Sequence, residues 1–202
     1  GEPERTGQGC WRISIAKPPM LEKGEMYFGH KFVAGITRCA PDMVYLWQLT
    51  PHERREKHFD DAELFEQMRA NLAGFGNSAG WIRDNMQPTD WINYRPLTAK
   101  IQPRPWHDGR VVLLGDAVAA TTPHLASGAG MAVESAIVLA QELGRAGSAE
   151  AALLAYEERR YERCRDVVES SVAIGAAQLA GAPPEQVGGM IGAALHRLNE
   201  PF

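Results

Sequence analysis

The chain has 202 residues, of which 45% are hydrophobic and 23% charged, a globular composition that excludes a disordered or fibrous chain. Lys and Arg total 21 against 25 Asp and Glu, a formal charge of -4. That balance argues against a nucleic-acid partner held by a basic surface. Three scattered cysteines, Cys10, Cys39 and Cys164, make neither a disulfide framework nor a metal cluster, and read as reduced thiols of a cytoplasmic protein. Asp116 interrupts the most apolar region, so no transmembrane run forms, and no signal peptide is visible.

In chain order, the first half is β-rich. Trp11 to Ala16, Glu25 to His30, Phe32 to Thr37 and Met43 to Leu49 are strand candidates, separated by Pro18-Pro19, Gly29 to Lys31 and Pro41-Asp42. Their tight spacing predicts an antiparallel meander with no room for crossover helices. A helix is predicted from Thr50, with Pro51 at its first position and Glu53 completing a capping box. Leu64, Phe65, Met68 and Leu72 then recur along one helical face, and Gly74 and Gly76 end it. Asn77 to Met86 forms a second short helix with Trp81 and Ile82 inward, and Trp91 to Gln102 is extended.

Pro103, Pro105 and Gly109 mark a change of composition. Val111 to Leu114 is a short, continuously apolar run, as in a strand covered on both faces. A Gly/Ser/Thr loop follows, and then a helix from Gly128 to about Leu143 with Gly144 as its C-cap. Ser148 caps a further helix whose packing continues toward Leu179. In it Glu157-Glu158-Arg159-Arg160 reads as a solvated face. Pro183-Pro184 breaks the helix, and Gln186 to Leu198 forms the last one. The predicted class is α/β, or α+β over these residues, with a mixed or antiparallel sheet and flanking helices. The predicted divisions are 1–102 for a sheet with helices, 103–147 for a strand, loop and helix, and 148–202 for a helical segment.

Chemistry concentrates after the apolar run. Asp116, just past the carboxyl end of a strand, stands where open α/β sheets place ligands; its carboxylate either accepts ligand hydroxyls or caps a turn. At Gly128-Ala129-Gly130, two glycines at a helix start either admit a phosphate or a flavin edge, or form a bend packed on neighbouring backbone. No Gly-x-Gly-x-x-Gly, Walker loop, zinc signature or serine-nucleophile elbow occurs. His107, His124 and His196 are isolated along the chain and give no metal site.

Taken as one segment, Trp106 to Leu143 resembles the flavin-contacting motif of the class A FAD-dependent aromatic monooxygenases of the para-hydroxybenzoate hydroxylase type. Their Gly-Asp-Ala-Ala-His, Pro and glycine-rich helix start correspond to Gly115-Asp116-Ala117-Val118-Ala119, Pro123 and Gly128-Ala129-Gly130-Met131. Thr6 to Arg12 resembles the opening of that family's substrate-domain sheet, and Tyr94 to Leu97 and Trp106 to Arg110 its approach to the flavin motif. The family's histidine falls at Ala119, so an imidazole contact is absent there.

The resemblance implies FAD as cofactor, NADH or NADPH as reductant, and transfer of one oxygen of O2 to a small aromatic substrate. It assigns FAD hydroxyls to Asp116, the pyrimidine side of the ring to the backbone near Gly130 and Met131, and pocket shape to Pro123, with Gly115, Gly128 and Ala129 alongside. Candidate substrate-pocket residues are Arg12, His30, Tyr45, Trp47 and Arg95; no catalytic base is assigned. The family's N-terminal dinucleotide-binding unit has no counterpart in the sequence. The expectation is therefore a carboxyl-terminal portion, inactive alone, whose partner is the missing FAD domain and which by itself either forms a homodimer through its uncovered strand or rearranges that strand. Epoxidation or oxidative decarboxylation on the same scaffold, and a non-catalytic small-molecule or protein-binding domain, are the competing expectations.

Overall fold

The computed structural model describes residues 2–29, 32–52 and 59–202. Its α/β architecture falls into two compact units, Gly7–Leu97 and Gly1–Thr6 with Thr98–Phe202. The first holds β1 (Glu4–Ala16), β2 (Glu25–Phe28), β3 (Val33–Arg38), β4 (Met43–Pro51), α1 (Asp61–Asn71), α2 (Asn77–Asn85) and most of β5 (Ile92–Ile101). Strand order is β2-β3-β4-β1-β5. The meander therefore covers β2 to β4 only: β1 pairs antiparallel with β4, from Gln8 opposite Pro51 to Ala16 opposite Met43. Pro18 and Pro19 stop β1 before it can turn back onto β2.

Period-two alternation sorts this sheet into two faces. Trp11 and Ile13 of β1, Ile36 of β3, Val44 and Leu46 of β4 and Ile92 of β5 form one core with Phe65, Met68, Leu72, Ala79 and Ile82 from the helical side. Cys10, Leu49 and Leu97 cluster separately, with Trp47 against them. The helix predicted from Thr50 starts eleven residues later. Thr50 and Pro51 belong to β4, where Thr50 lies opposite Gly9 and its hydroxyl accepts the Trp11 indole N–H at 3.0 Å. Glu53 lies outside the described residues. Asp60 caps α1 instead, accepting Glu63 N–H at 2.8 Å while Glu63 accepts Asp60 N–H at 3.1 Å, a capping box displaced along the chain. Gly76 begins α2 rather than ending α1.

The second unit holds a hairpin of β6 (His107–Asp108) and β7 (Val111–Val112), and β8 (Ala119–Ala120), which pairs antiparallel with Lys100 and Ile101 of β5. α3 (Gly128–Arg145), α4 (Ala149–Leu179) and α5 (Pro184–Leu198) follow. Their core is Val138 of α3, Tyr156, Cys164, Val167 and Ile174 of α4, and Val187 and Ala194 of α5, closed by Trp106 and Val118. α3 runs through Gly144, which does not act as its cap; Ala146 does. The apolar run after Arg110 is not covered on both faces: β7 has two residues, Val111 is 68% exposed, and Leu113 and Leu114 are exposed too. Within this unit β6 is its sheet partner, and a two-residue ladder cannot bury four apolar side chains. Among the described residues no helix is long and apolar enough to cross a membrane, and no cluster of three His, Cys, Asp or Glu is placed to hold a metal ion.

Candidate functional site

In the second unit, the chain turns sharply where β7 ends. Gly115 has φ +61°, and an added Cβ would lie 3.2 Å from the Ala132 Cβ on α3, so both the backbone sign and the close approach call for glycine. Gly115–Ala117 form a 3-10 turn, which presents Asp116 to solvent. Among the described residues its carboxylate has no hydrogen-bond or ion-pair partner. A second 3-10 turn, Pro123–Leu125, ends at Ala126 in the left-handed region (φ 50°) and leads into α3.

The start of α3 is left open. Ser127 precedes it, but its hydroxyl donates to the Leu125 carbonyl at 2.8 Å and makes no cap bond; the first turn carries no acidic side chain. The opening N–H groups of an eighteen-residue helix thus lack an intrahelical acceptor, at the positive end of its dipole. Ala129 and Gly130 are exposed, and a methyl group built on Gly130 would touch nothing within 4 Å. An uncapped helix start with open space over a glycine, against a turn carrying an unpaired carboxylate, suits a ligand with an electron-rich edge and several hydroxyls. FAD has both.

Buried charge fixes this helix start from below. The fully buried Arg160 of α4 donates to Glu134 at 2.8 Å, Ser135 Oγ at 3.2 Å and the Met131 carbonyl at 3.3 Å. Arg163 grips the same Glu134 with two bonds, of 2.8 and 2.9 Å. Burial works to raise the Glu134 pKa, but hydrogen bonds from Arg163 and Arg160 prevail and hold it below the usual carboxylate range. Buried Glu157 accepts the Trp106 N–H at 2.7 Å and lies 2.5 Å from His107 Nδ1, which pins the hairpin entrance to α4. Of the stretch from Glu157 to Arg160, the two ends are therefore not solvated, while Glu158 between them stays exposed. Glu157 and Arg160 recur with Leu153, Tyr156 and Cys164 along the inward stripe of α4, a spacing visible in the sequence, whereas Glu134 and His107 stand 26 and 50 residues away. His124 sits in the loop before α3 with Nδ1 2.8 Å from Thr122 Oγ1. Burial lowers its pKa to about 4, a hydrogen bond with Gln178 opposing the shift.

The substrate candidates belong to the other unit. Arg12, Tyr45 and Trp47 share the sheet face turned away from α1 and α2: Arg12 pairs with Trp47 and Ser14 with Tyr45. Arg12 reaches Asn93 Oδ1 at 3.5 Å, and Arg95, exposed two residues on along β5, falls on the same face. Burial raises the Tyr45 hydroxyl pKa, and the Arg12 charge opposes that. His30 lies outside the described residues. Asn93 was missed by sequence reasoning, since nothing local distinguishes it from any polar strand residue.

The model of the FAD binding domain family matches residues 29–171. The chain belongs to that family. Among curated relatives, YetM of Bacillus subtilis (strain 168), provisionally named an FAD-dependent monooxygenase, is 33% identical over 185 residues, 90% of this chain and 49% of that protein. The 2-heptyl-3-hydroxy-4(1H)-quinolone synthase of Pseudomonas aeruginosa (strain UCBPP-PA14) is 30% identical over 176 residues, 84% of this chain and 44% of its own. The chain spans about half the length of these relatives. In fold it resembles Klebsiella pneumoniae HpxO, solved with FAD and uric acid: TM-score 0.77 at 21% identity, covering 96% of this chain and 55% of that one. The likeness extends across the FAD-dependent monooxygenases, and FAD is the cofactor the family points to.

Proposed function

We propose that the chain supplies the flavin-contacting turn and helix, and the substrate-facing sheet, of an FAD-dependent monooxygenase that hydroxylates a small aromatic compound with NADH or NADPH and O2. The observation that carries this reading is the open, glycine-lined start of α3 packed against the Gly115–Ala117 turn, with Asp116 exposed and unpaired among the described residues. Asp116 accepts hydrogen bonds from ribityl or nearby hydroxyls. The backbone from Gly128 through Ala129 and Gly130 to Met131 faces the pyrimidine edge, where the helix dipole favours negative charge. Gly115 sets the turn, and Pro123 shapes the loop beside it.

Bound FAD would supply the redox chemistry, taking reducing equivalents from the nicotinamide and activating O2. This chain's own residues bind, orient and exclude water. Arg160 and Glu134 keep the helix start rigid without touching the ligand. In the Gly7–Leu97 unit, Arg12, Tyr45, Trp47 and Arg95 give the substrate an aromatic wall and cationic donors. The sequence holds no Gly-x-Gly-x-x-Gly, so in this reading the ADP half of FAD belongs to a dinucleotide-binding unit that these 202 residues do not contain.

The test is Asp116→Ala. Loss of a charge-assisted contact should weaken FAD binding by about 1.5–3 kcal/mol, roughly ten- to a hundredfold in Kd, with thermal stability unchanged. Equal affinity in the two proteins would remove Asp116 from the site.

A further inference from the structure

The sheet face that carries Arg12 is graded from one side to the other. Successive registers place Met26 opposite Gly35, Gly35 opposite Trp47, and Trp47 opposite Arg12, which reaches Asn93 on β5. One row across five strands thus passes from a thioether, over bare backbone, to an indole, a guanidinium and an amide. The neighbouring row, Phe28, Val33, Leu49 and Cys10, is apolar throughout. Gly35 is what joins the ends: a Cβ there would lie 2.4 Å from Trp47 Cε2 and Cζ2, so the indole covers β3 and extends the aromatic surface toward β2. Beyond it, Met26 and Phe28 are 56% and 49% exposed although their strand neighbours Glu25 and Tyr27 point into the packed face, where Ser78 Oγ donates to Glu25 and Ala79 N–H to Tyr27.

Resting on the monooxygenase reading above, we infer that this face takes an amphipathic aromatic substrate: an oxygen-bearing ring at Arg12, Asn93 and Tyr45 against Trp47, and an unbranched aliphatic tail along Met26 and Phe28. Scale supports the tail. From β1 to β2 is three strand spacings, about 14 Å, more than a single ring fills. Polarity supports its direction, because cationic and amide donors cluster on β1 and β5 while β2 contributes only Met26 and Phe28 to this face. Apolar side chains half exposed on an edge strand gain nothing for the unit's own core, and a tail lying on them removes that surface from water.

The experiment is equilibrium binding of 4-n-alkylbenzoates, methyl to octyl, to the full chain by calorimetry, with FAD affinity measured on the same preparations. Wild type should bind more tightly with every added methylene, by up to about fourfold per step. The Met26→Ser/Phe28→Ser double variant, altered only at exposed positions and checked for unchanged thermal unfolding, should flatten that dependence and leave the shortest ligand unaffected. Arg12→Gln should weaken the whole series equally and keep the slope. A flat wild-type series, or a slope that survives in the double variant, overturns the tail site. The FAD arm is read separately: a flat series with FAD bound refutes only the tail, and a chain-length slope with no FAD bound refutes only the flavin reading.

Discussion

In the Gly7–Leu97 unit the deepest described positions are uncharged, with Ile13, Leu46, Met68 and Ile82 beside the neutral Gln48 and Ser78, and hydrogen bonds such as Trp11 to Thr50 tie strands together. In the Thr98–Phe202 unit comparable depth holds charge: Arg160 is fully buried, Glu157 nearly so, and Glu134 is shared by two arginines. An apolar core loses stability in proportion to the atoms removed. A buried ion cluster loses most when one partner goes, because the other is left charged and unpaired. The difference falls where function is proposed, since the charged cluster lies beneath the helix start and the apolar core backs the graded sheet face.

That contrast can be broken by mutation. Glu134→Ala strands the buried Arg160 and should cost about 3–5 kcal/mol in denaturant unfolding. Replacing both partners, Glu134→Leu with Arg160→Met, should recover much of that loss; if the pair is no more stable than the single variant, the buried-charge account of α3 fails. Leu46→Ala, in the apolar core, should cost about 3 kcal/mol, and more than about 5 would point to collapse beyond the cavity itself.

Acid provides a smaller test. His124 has its folded pKa lowered toward about 4, so below its unfolded value near 6.5 the unfolded chain takes up a proton that the folded chain refuses. Stability should therefore fall as pH drops from about 6.5 to 4.5, by on the order of 2 kcal/mol, and His124→Asn should abolish most of that slope. The Glu134 contribution has the same direction but is lost only lower, as pH falls through its depressed folded pKa. The smallest effects should be alike in both units. Asp60→Ala removes the cap of α1 and Ser148→Ala that of α4, where Ser148 Oγ accepts Ala151 N–H at 3.2 Å; each should cost about 1 kcal/mol.

Much of the fold was legible because local signals and burial agree. Short runs set off by glycine and proline marked β2 to β4, and the spacing of Phe65, Met68 and Leu72 marked the inward face of α1, although Thr50-Pro51 imitated a helix start while serving β4. The pairing of β1 with β4 was not legible, since nothing in either strand names a partner some forty residues away. At the candidate site, Gly115, Asp116 and Gly128 to Met131 stand out because their chemistry is contiguous in sequence. Glu157 and Arg160 looked solvent-facing because charge was weighed before helical position, and nothing local pointed to Glu134 as the partner of Arg160. Asn93 and Gly35 gain their meaning only from cross-strand neighbours.

The central claim is that the Asp116 turn and the α3 start contact the flavin. Amide chemical-shift mapping of the full chain during FAD addition tests it directly, even where binding is weak. The account predicts saturable shifts concentrated at Gly115 to Ala117 and Gly128 to Met131, and their loss in Asp116→Ala. Shifts that are absent from those two segments while others move would contradict it.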